Sequence, residues 1–141
     1  MVIIDCVQWE MKILKVITTN LRTSVFLLGS ILIYLMLIFI GSSLSSVPVP
    51  QLMPYQDKLE HFVEYFILGI ILFLNYKSRI KINKIISMFI LFSWPILDEF
   101  HQSFVPMRDA SIFDAMADYT GMIVAILLFH FLFNLVKSDV K

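Results

Sequence analysis

An uninterrupted apolar segment near the start of the chain sets the strongest limit on how it can fold. Val25 to Leu44 gives about twenty residues without a charge, which as a helix is long enough to cross a bilayer's hydrocarbon core. The chain of 141 residues is 59% hydrophobic and 16% charged, a composition unlike that of soluble domains. A signal peptide is the competing interpretation, but its apolar region is shorter. We therefore expect an integral membrane protein.

Three more segments of comparable length follow the first span. They cover Lys58–Tyr76, Ile82–Gln102 and Ser111–Val136. The connecting segment Ser45–Gln56 contains three prolines and is expected to be non-helical and outside the membrane. The predicted fold is all-α, a bundle of four transmembrane helices.

The distribution of basic residues predicts the orientation of this bundle. One side has only Lys58 and Arg108, whereas the other side has nine basic residues: Lys12, Lys15, Arg22, Lys77, Arg79, Lys81, Lys84, Lys137 and Lys141. By the positive-inside rule both termini are cytoplasmic. Residues 1–22 are expected to form a cytoplasmic amphipathic segment or to be partly disordered, and residues 137–141 a cytoplasmic tail.

Composition also excludes several classes of protein. The formal net charge is zero and no basic stripe is interleaved with aromatic residues, so a nucleic-acid partner is not expected. Cys6 is the single cysteine, which excludes an intrachain disulfide and argues against a thiolate metal cluster. Membrane lipids are the expected partners, no cofactor is predicted, and the oligomeric state stays open.

Polar residues in the predicted spans indicate where function resides, because such groups are costly in lipid unless paired or hydrated. On the second helix, Asp57, His61 and Glu64 share one stripe, with Tyr65 at its edge. On the third helix, Asp98 shares a face with two other residues, Pro95 and Gln102. Pro95 is expected to kink this helix and to free the carbonyl of Leu91.

The fourth helix carries a third stripe, which begins in a capping-box-like pattern at Ser111 and Asp114. It continues through Asp118 to Gly121 and Ala125, a small-residue pair expected to make a close helix contact. Because the three stripes lie at similar depth, we expect them to converge on a pocket facing away from the cytoplasm. Glu99 and His101 lie off the stripe of the third helix and are expected to face headgroups.

These residues give the chain a resemblance to the VanZ-like family of small bacterial membrane proteins. Three ordered motifs between residues 44 and 130 carry it: Asp57-Lys58-x-x-His61-Phe62-x-x-Tyr65-x-x-Leu68-Gly69, Asp98-Glu99-x-x-Gln102-x-Phe104-x-Pro106-x-Arg108 and Ser111-x-x-Asp114-x-x-Ala117-Asp118-x-x-Gly121. The chain departs from the family pattern at Asp118, where asparagine is usual, and at Ala125, where glycine is common. Residues 23–136 would form the VanZ-like domain.

The resemblance implies a cell-envelope function of the kind shown by the family's namesake, which gives teicoplanin resistance without rebuilding the peptidoglycan precursor. The alternative is a membrane-embedded enzyme acting on an outer-leaflet lipid-linked or wall-precursor substrate. Candidate catalytic residues are His61, Asp98 and Asp114, as general bases. Candidate substrate-binding residues are Asp57, Lys58, Glu64, Tyr65, Glu99, Gln102, Arg108, Ser111 and Asp118, of which Lys58 and Arg108 would hold a phosphate or carboxylate.

Two further functions are weighed against these. Asp57, His61, Asp98, Asp114 and Asp118 supply enough ligands for a divalent cation, but their spacing is not diagnostic and no metal ligand is assigned. An ion channel is disfavoured, because Phe66–Leu74 is uninterrupted apolar sequence and the inner half of the bundle shows almost no polar residues.

Overall fold

The computed structural model of the protein describes residues 21–44, 55–78, 81–108 and 110–138. These residues form four helices: α1 (Leu21–Ser43), α2 (Gln56–Lys77), α3 (Lys81–Gln102) and α4 (Ile112–Ser138). The all-α prediction is confirmed for the described parts of the chain, and each predicted helix has its counterpart in order. The expectation for residues 1–22 lies outside the described residues, except that Leu21 and Arg22 begin α1.

Three of these helices are long and apolar enough to cross a membrane, namely the segments Thr23–Ser43, Gln56–Lys77 and Ile112–Leu135. Helix α3 has the same 22-residue length as α2 but is not among them. Lys81 and Lys84 lie in its first turn, and Asp98 and Glu99 lie near its end. These four charges lower its mean hydropathy, so its composition alone does not mark it as a membrane span. The four-span bundle therefore stays a prediction.

Helices α2 and α4 form the closest pair in the bundle. A Cβ atom at Gly69 would lie 2.7 Å from the Met122 carbonyl oxygen and 2.8 Å from the Ala125 Cβ, and one at Gly121 would collide with the Phe62 carbonyl oxygen. Only glycine allows the two backbones to approach this closely. The predicted close contact through Gly121 and Ala125 is confirmed.

Apolar side chains fill the middle of the bundle and also cover its outside. The buried core consists of Ile31, Leu35, Ile38, Tyr65, Leu68, Leu72, Ile90 and Met122. Many large apolar side chains are instead exposed, among them Phe26, Leu32, Phe89, Phe92, Phe104 and Phe131. An apolar surface on this scale would be unfavourable in water, and it suits a protein whose solvent is lipid.

Helix α3 continues through Pro95, which is buried against its neighbours. The Tyr119 hydroxyl on α4 donates to the Phe92 carbonyl at 2.7 Å. That carbonyl is adjacent to the Leu91 carbonyl, which the proline leaves without its helical donor. The proline region is thus tied directly to α4, which helps to fix the end of α3 that carries Asp98.

Candidate functional site

Polar residues from all four helices meet at one end of the bundle, where α1 and α3 end and α2 and α4 begin. We call this group the acidic cluster; its members are Ser42, Asp57, Lys58, His61, Tyr65, Asp98, Glu99, Gln102, Asp114 and Asp118. Most of these side chains are buried. The three stripes therefore converge as expected, whereas the outward-facing pocket stays a prediction. The cluster reaches the surface at Asp57, whose side chain is 50% exposed, and at Lys58, whose side chain is 27% exposed.

Asp98 accepts three side-chain hydrogen bonds, although it is buried. The donors are the Ser42 hydroxyl at 2.5 Å, the Tyr65 hydroxyl at 2.9 Å and the Gln102 amide at 3.2 Å. Tyr65, which the sequence places at the edge of its stripe, is fully buried. A buried carboxylate needs such donors to offset its desolvation. Asp98 therefore links α1, α2 and α3.

His61 and Asp118 form the link between α2 and α4. The Nδ1 atom of His61 lies 2.9 Å from Oδ1 of Asp118, and both side chains are buried. Oδ2 of Asp118 is also buried, and no hydrogen-bond donor reaches it from the described residues. A carboxylate in this position orients the imidazole ring and selects its tautomer.

Lys58 joins the same two helices nearer the surface. Its ammonium lies 2.7 Å from Oδ2 of Asp57 and 2.5 Å from Oδ1 of Asp114. Asp114 is largely buried, and the Lys58 ammonium provides the opposite charge that a buried carboxylate needs. Lys58 is thus engaged by two acids, which leaves it poorly disposed to hold a phosphate or carboxylate of a substrate.

The start of α4 is capped by a residue of α3. The Ser111 hydroxyl accepts a hydrogen bond from the Phe113 amide at 3.2 Å, as expected of an N-cap. Asp114 turns to Lys58 and does not complete a capping box. Instead the Ser111 amide donates to Oε2 of Glu99 at 2.9 Å.

The expectation that Glu99 faces headgroups is wrong, since Glu99 is buried. The physical reason is the attraction of a carboxylate to the positive end of a helix dipole. Its second oxygen, Oε1, is buried and receives no hydrogen bond from the described part of the chain.

Arg108 caps the end of α1. Its Nη2 donates to the Gly41 carbonyl at 3.0 Å and its Nε to the Leu44 carbonyl at 3.4 Å. Met107, which precedes it, adopts a φ of 65° in the left-handed region, which is uncommon for a residue other than glycine. The turn between α3 and α4 thereby brings a cation to the negative end of a helix.

Two further polar residues, Glu64 and His101, stand at variable positions of the motifs and lie on the α1 side of the cluster. Glu64 is half-buried, and a Cβ atom at Gly41 would lie 3.9 Å from its Oε1. The Nε2 atom of His101 lies 2.9 Å from the Ser43 hydroxyl, and its ring stacks on Phe39 at 4.4 Å. His101 therefore contacts α1. The structure brings every candidate residue to this end of the bundle, where Arg108 is engaged by the carbonyls at the end of α1.

Acids outnumber bases around this site. Among the described residues, the site gathers six carboxylates, from Asp57, Glu64, Asp98, Glu99, Asp114 and Asp118, with two cations, Lys58 and Arg108, and two histidines, His61 and His101. Such a balance favours cations and hydrogen-bond donors over anions. The arrangement is suited to holding a positive group, or to moving a proton through His61.

A second polar group, which sequence reasoning missed, lies at the opposite end of the bundle. We call it the amide cluster; its members are Ser24, Asn75, Ser78, Asn83 and Ser87, all buried. Asn75 donates to the Leu27 carbonyl at 3.0 Å, Asn83 donates to the Ser24 carbonyl at 3.2 Å, and the hydroxyls of Ser24 and Ser78 lie 2.9 Å apart.

The expectation of almost no polar residues in this half is therefore wrong. Amides and hydroxyls carry no charge, so a search for charged residues within the spans passes over them. The spacing of four between Asn83 and Ser87 was the available signal.

A groove of about 450 Å³ lies away from both clusters, on the exposed face of α3. Its lining is apolar apart from one serine and consists of Met88, Phe89, Phe92, Ser93, Ile96 and Leu97. It offers no group for acid–base or ionic chemistry. The acidic cluster, and not this groove, is the candidate site.

Spanning helices, a lipid-like exterior and charged residues gathered inside the bundle define a polytopic helical membrane protein. A family model described as VanZ/LLP1 matches residues 12–134. The chain belongs to the VanZ/LLP1 family, which confirms the resemblance and extends it over α1. No curated protein and no solved structure matches the chain.

Proposed function

We propose that this protein acts in the bacterial cell envelope and lowers the access of lipoglycopeptides such as teicoplanin to their target. The observation that carries the proposal is the family match over residues 12–134. The motifs that carry the resemblance supply most of the acidic cluster, so the family's characteristic residues meet in one place.

The cluster faces away from the cytoplasm in this proposal. The opposite end of the bundle carries Lys77, Lys81 and Lys84, which the positive-inside rule assigns to the cytoplasmic side. Helix α3 then crosses the membrane as a fourth span, and both termini are cytoplasmic. The charged end of α3 is shielded from lipid, because Asp98 and Glu99 are buried.

The ligand in this proposal is a lipid-linked or wall-linked molecule of the outer leaflet. It enters beside Asp57 and Lys58, where the cluster is exposed. The excess of carboxylates favours ammonium groups and hydroxyls as the parts that are recognised. Membrane lipids surround the apolar exterior.

Susceptibility measurements test this function. A sensitive bacterium expressing the native gene is expected to show a higher inhibitory concentration of teicoplanin than one with an empty vector, with a smaller change for vancomycin. His61→Ala and Asp98→Asn are expected to abolish the difference, whereas Glu60→Gln, at an exposed acid of α2, retains it. Immunoblots verify equal amounts in the membrane. Equal teicoplanin susceptibility with and without the native gene would refute the resistance function.

The His61–Asp118 pair favours a second candidate, a membrane-embedded enzyme acting on a lipid-linked or wall-precursor substrate. A carboxylate-oriented imidazole is a common general base. Of the three candidate bases, Asp98 is occupied by three donors and Asp114 by Lys58, so His61 is the best placed. Lipid and wall-precursor profiles are expected to change with His61→Ala. Profiles identical to those of the native strain in both His61→Ala and Asp98→Asn would exclude catalysis.

A further inference from the structure

Three potential metal ligands from three different helices meet inside the acidic cluster. They are His61 of α2, Glu99 of α3 and Asp118 of α4, and one ligand atom from each lies within 4.8 Å of the others. The exposed fractions of the three residues are 8%, 9% and 0%. These three ligands differ from the five that the sequence suggests for a cation. Glu99 is added, whereas Asp57, Asp98 and Asp114 are left out because they bind Lys58 or other donors.

Two oxygens of this trio have no hydrogen-bond partner within the described part of the chain. Oε1 of Glu99 and Oδ2 of Asp118 are buried and receive no donor from the described residues. The other oxygen of each carboxylate is held, by the Ser111 amide and by His61 respectively, so both side chains are fixed in place. A buried carboxylate oxygen without a donor is costly, and the presence of two such oxygens in a trio whose ligand atoms converge points to a shared ligand.

Neighbouring cations do not satisfy these oxygens. The Lys58 ammonium lies between Asp57 and Asp114, and the Arg108 guanidinium binds carbonyls at the end of α1. A bound cation is therefore the simplest ligand for a trio that contains two acids.

We propose that His61, Glu99 and Asp118 bind one divalent transition-metal ion of the zinc or manganese type. Imidazole suits zinc and related ions, whereas magnesium and calcium prefer sites made only of oxygen. Three protein ligands leave a fourth position for water or an incoming oxygen. Tetrahedral ligands around zinc lie about 3.4 Å apart, and the ligand atoms of the trio already lie within 4.8 Å of one another. The site stands on geometry alone and does not depend on the resistance phenotype.

Metal binding by the purified full-length protein in detergent tests the proposal. After incubation with Zn²⁺ or Mn²⁺ and desalting, the native chain and the control Glu60→Gln are expected to retain one ion per chain. Glu99→Gln and Asp118→Asn, which preserve shape but remove a charged ligand, are expected to bind at least about tenfold more weakly. Circular dichroism and gel filtration establish that the variants are folded.

A measurement on the native chain keeps the test decisive if the variants fail to fold. Co²⁺ is expected to give visible absorption bands of a low-coordinate site with nitrogen and oxygen ligands, which Zn²⁺ removes by competition. Absence of both retained metal and cobalt bands in the native protein would overturn the proposal. Folded Glu99→Gln and Asp118→Asn variants with native affinity would overturn it equally.

Discussion

At the scale of single residues, the acidic cluster shows how a lipid-embedded bundle tolerates charge. Asp98 is surrounded by donors, Asp114 is matched by Lys58, and Asp118 is matched by His61. Each of these three acids therefore has a partner on another helix, although Oδ2 of Asp118 receives no hydrogen bond from the described residues. The hydrogen bonds and ion pairs that stabilise these buried acids also hold the helices together.

Removing the Tyr65 hydroxyl tests the contribution of one such contact. In Tyr65→Phe, Asp98 loses the donor at 2.9 Å, and the free energy of unfolding is expected to fall by about 1–3 kcal/mol, the usual range for a hydrogen bond to a buried charged group. Thermal unfolding in detergent measures the change. The matched control is Tyr119→Phe, whose hydroxyl donates to a backbone carbonyl and not to a carboxylate. Equal losses in the two variants would contradict a special role for Asp98.

At the scale of helices, the contact between α2 and α4 positions the site. The glycines Gly69 and Gly121 bring the two backbones together, and this approach places His61 within reach of Asp118. The end of α3 then completes the cluster by capping α4 through Glu99. The site therefore depends on glycines that carry no chemistry of their own.

Adding one methyl group to α4 tests this dependence. In Gly121→Ala the new Cβ collides with the Phe62 backbone, so the helices must separate, and a loss of about 1–3 kcal/mol in stability is expected from overpacking. Gly29→Ala is the control, since a Cβ there meets nothing within 4 Å and alanine favours a helix. Thermal unfolding compares the two variants. A Gly121→Ala protein as stable as Gly29→Ala would show that the interface tolerates separation.

At the scale of the whole molecule, two polar ends enclose an apolar middle. The acidic cluster lies at one end, the amide cluster at the other, and the core residues such as Ile31, Leu68 and Ile90 lie between them. This division is expected if each end of the bundle lies at one of the two aqueous boundaries of a bilayer. It also requires α3 to run the full distance between them.

Cysteine labelling tests that topology in a Cys6→Ser background. Ser103→Cys, in the exposed turn after α3, is expected to react with a membrane-impermeant maleimide in intact cells. Lys81→Cys, at the exposed start of α3, is expected to react only after permeabilisation. The two positions flank a single helix and serve as controls for each other. Labelling of both in intact cells would show that α3 does not cross.

Sequence periodicity predicts much of this arrangement. The sequence predicts all four helices, α3 included, and the stripes of α2 and α4 follow from spacings of three and four. The inward position of Glu99 could not be predicted, because it depends on how the turn after α3 folds back to place Ser111. The amide cluster was missed because Asn75 and Asn83 lie in different helices, and only packing brings them together.

The presence of polar clusters at both ends has a consequence for motion. A one-turn slide of α3 along its neighbours, about 5.4 Å, would pull Asp98 from Tyr65 and Asn83 from Asn75 in the same step. Hydrogen bonds would then break in both clusters at once, so axial sliding of α3 is energetically costly at both ends. A tilt of α3 that opens one cluster and leaves the other intact would break fewer contacts, so we expect tilting, and not sliding, to be the easier movement of this helix.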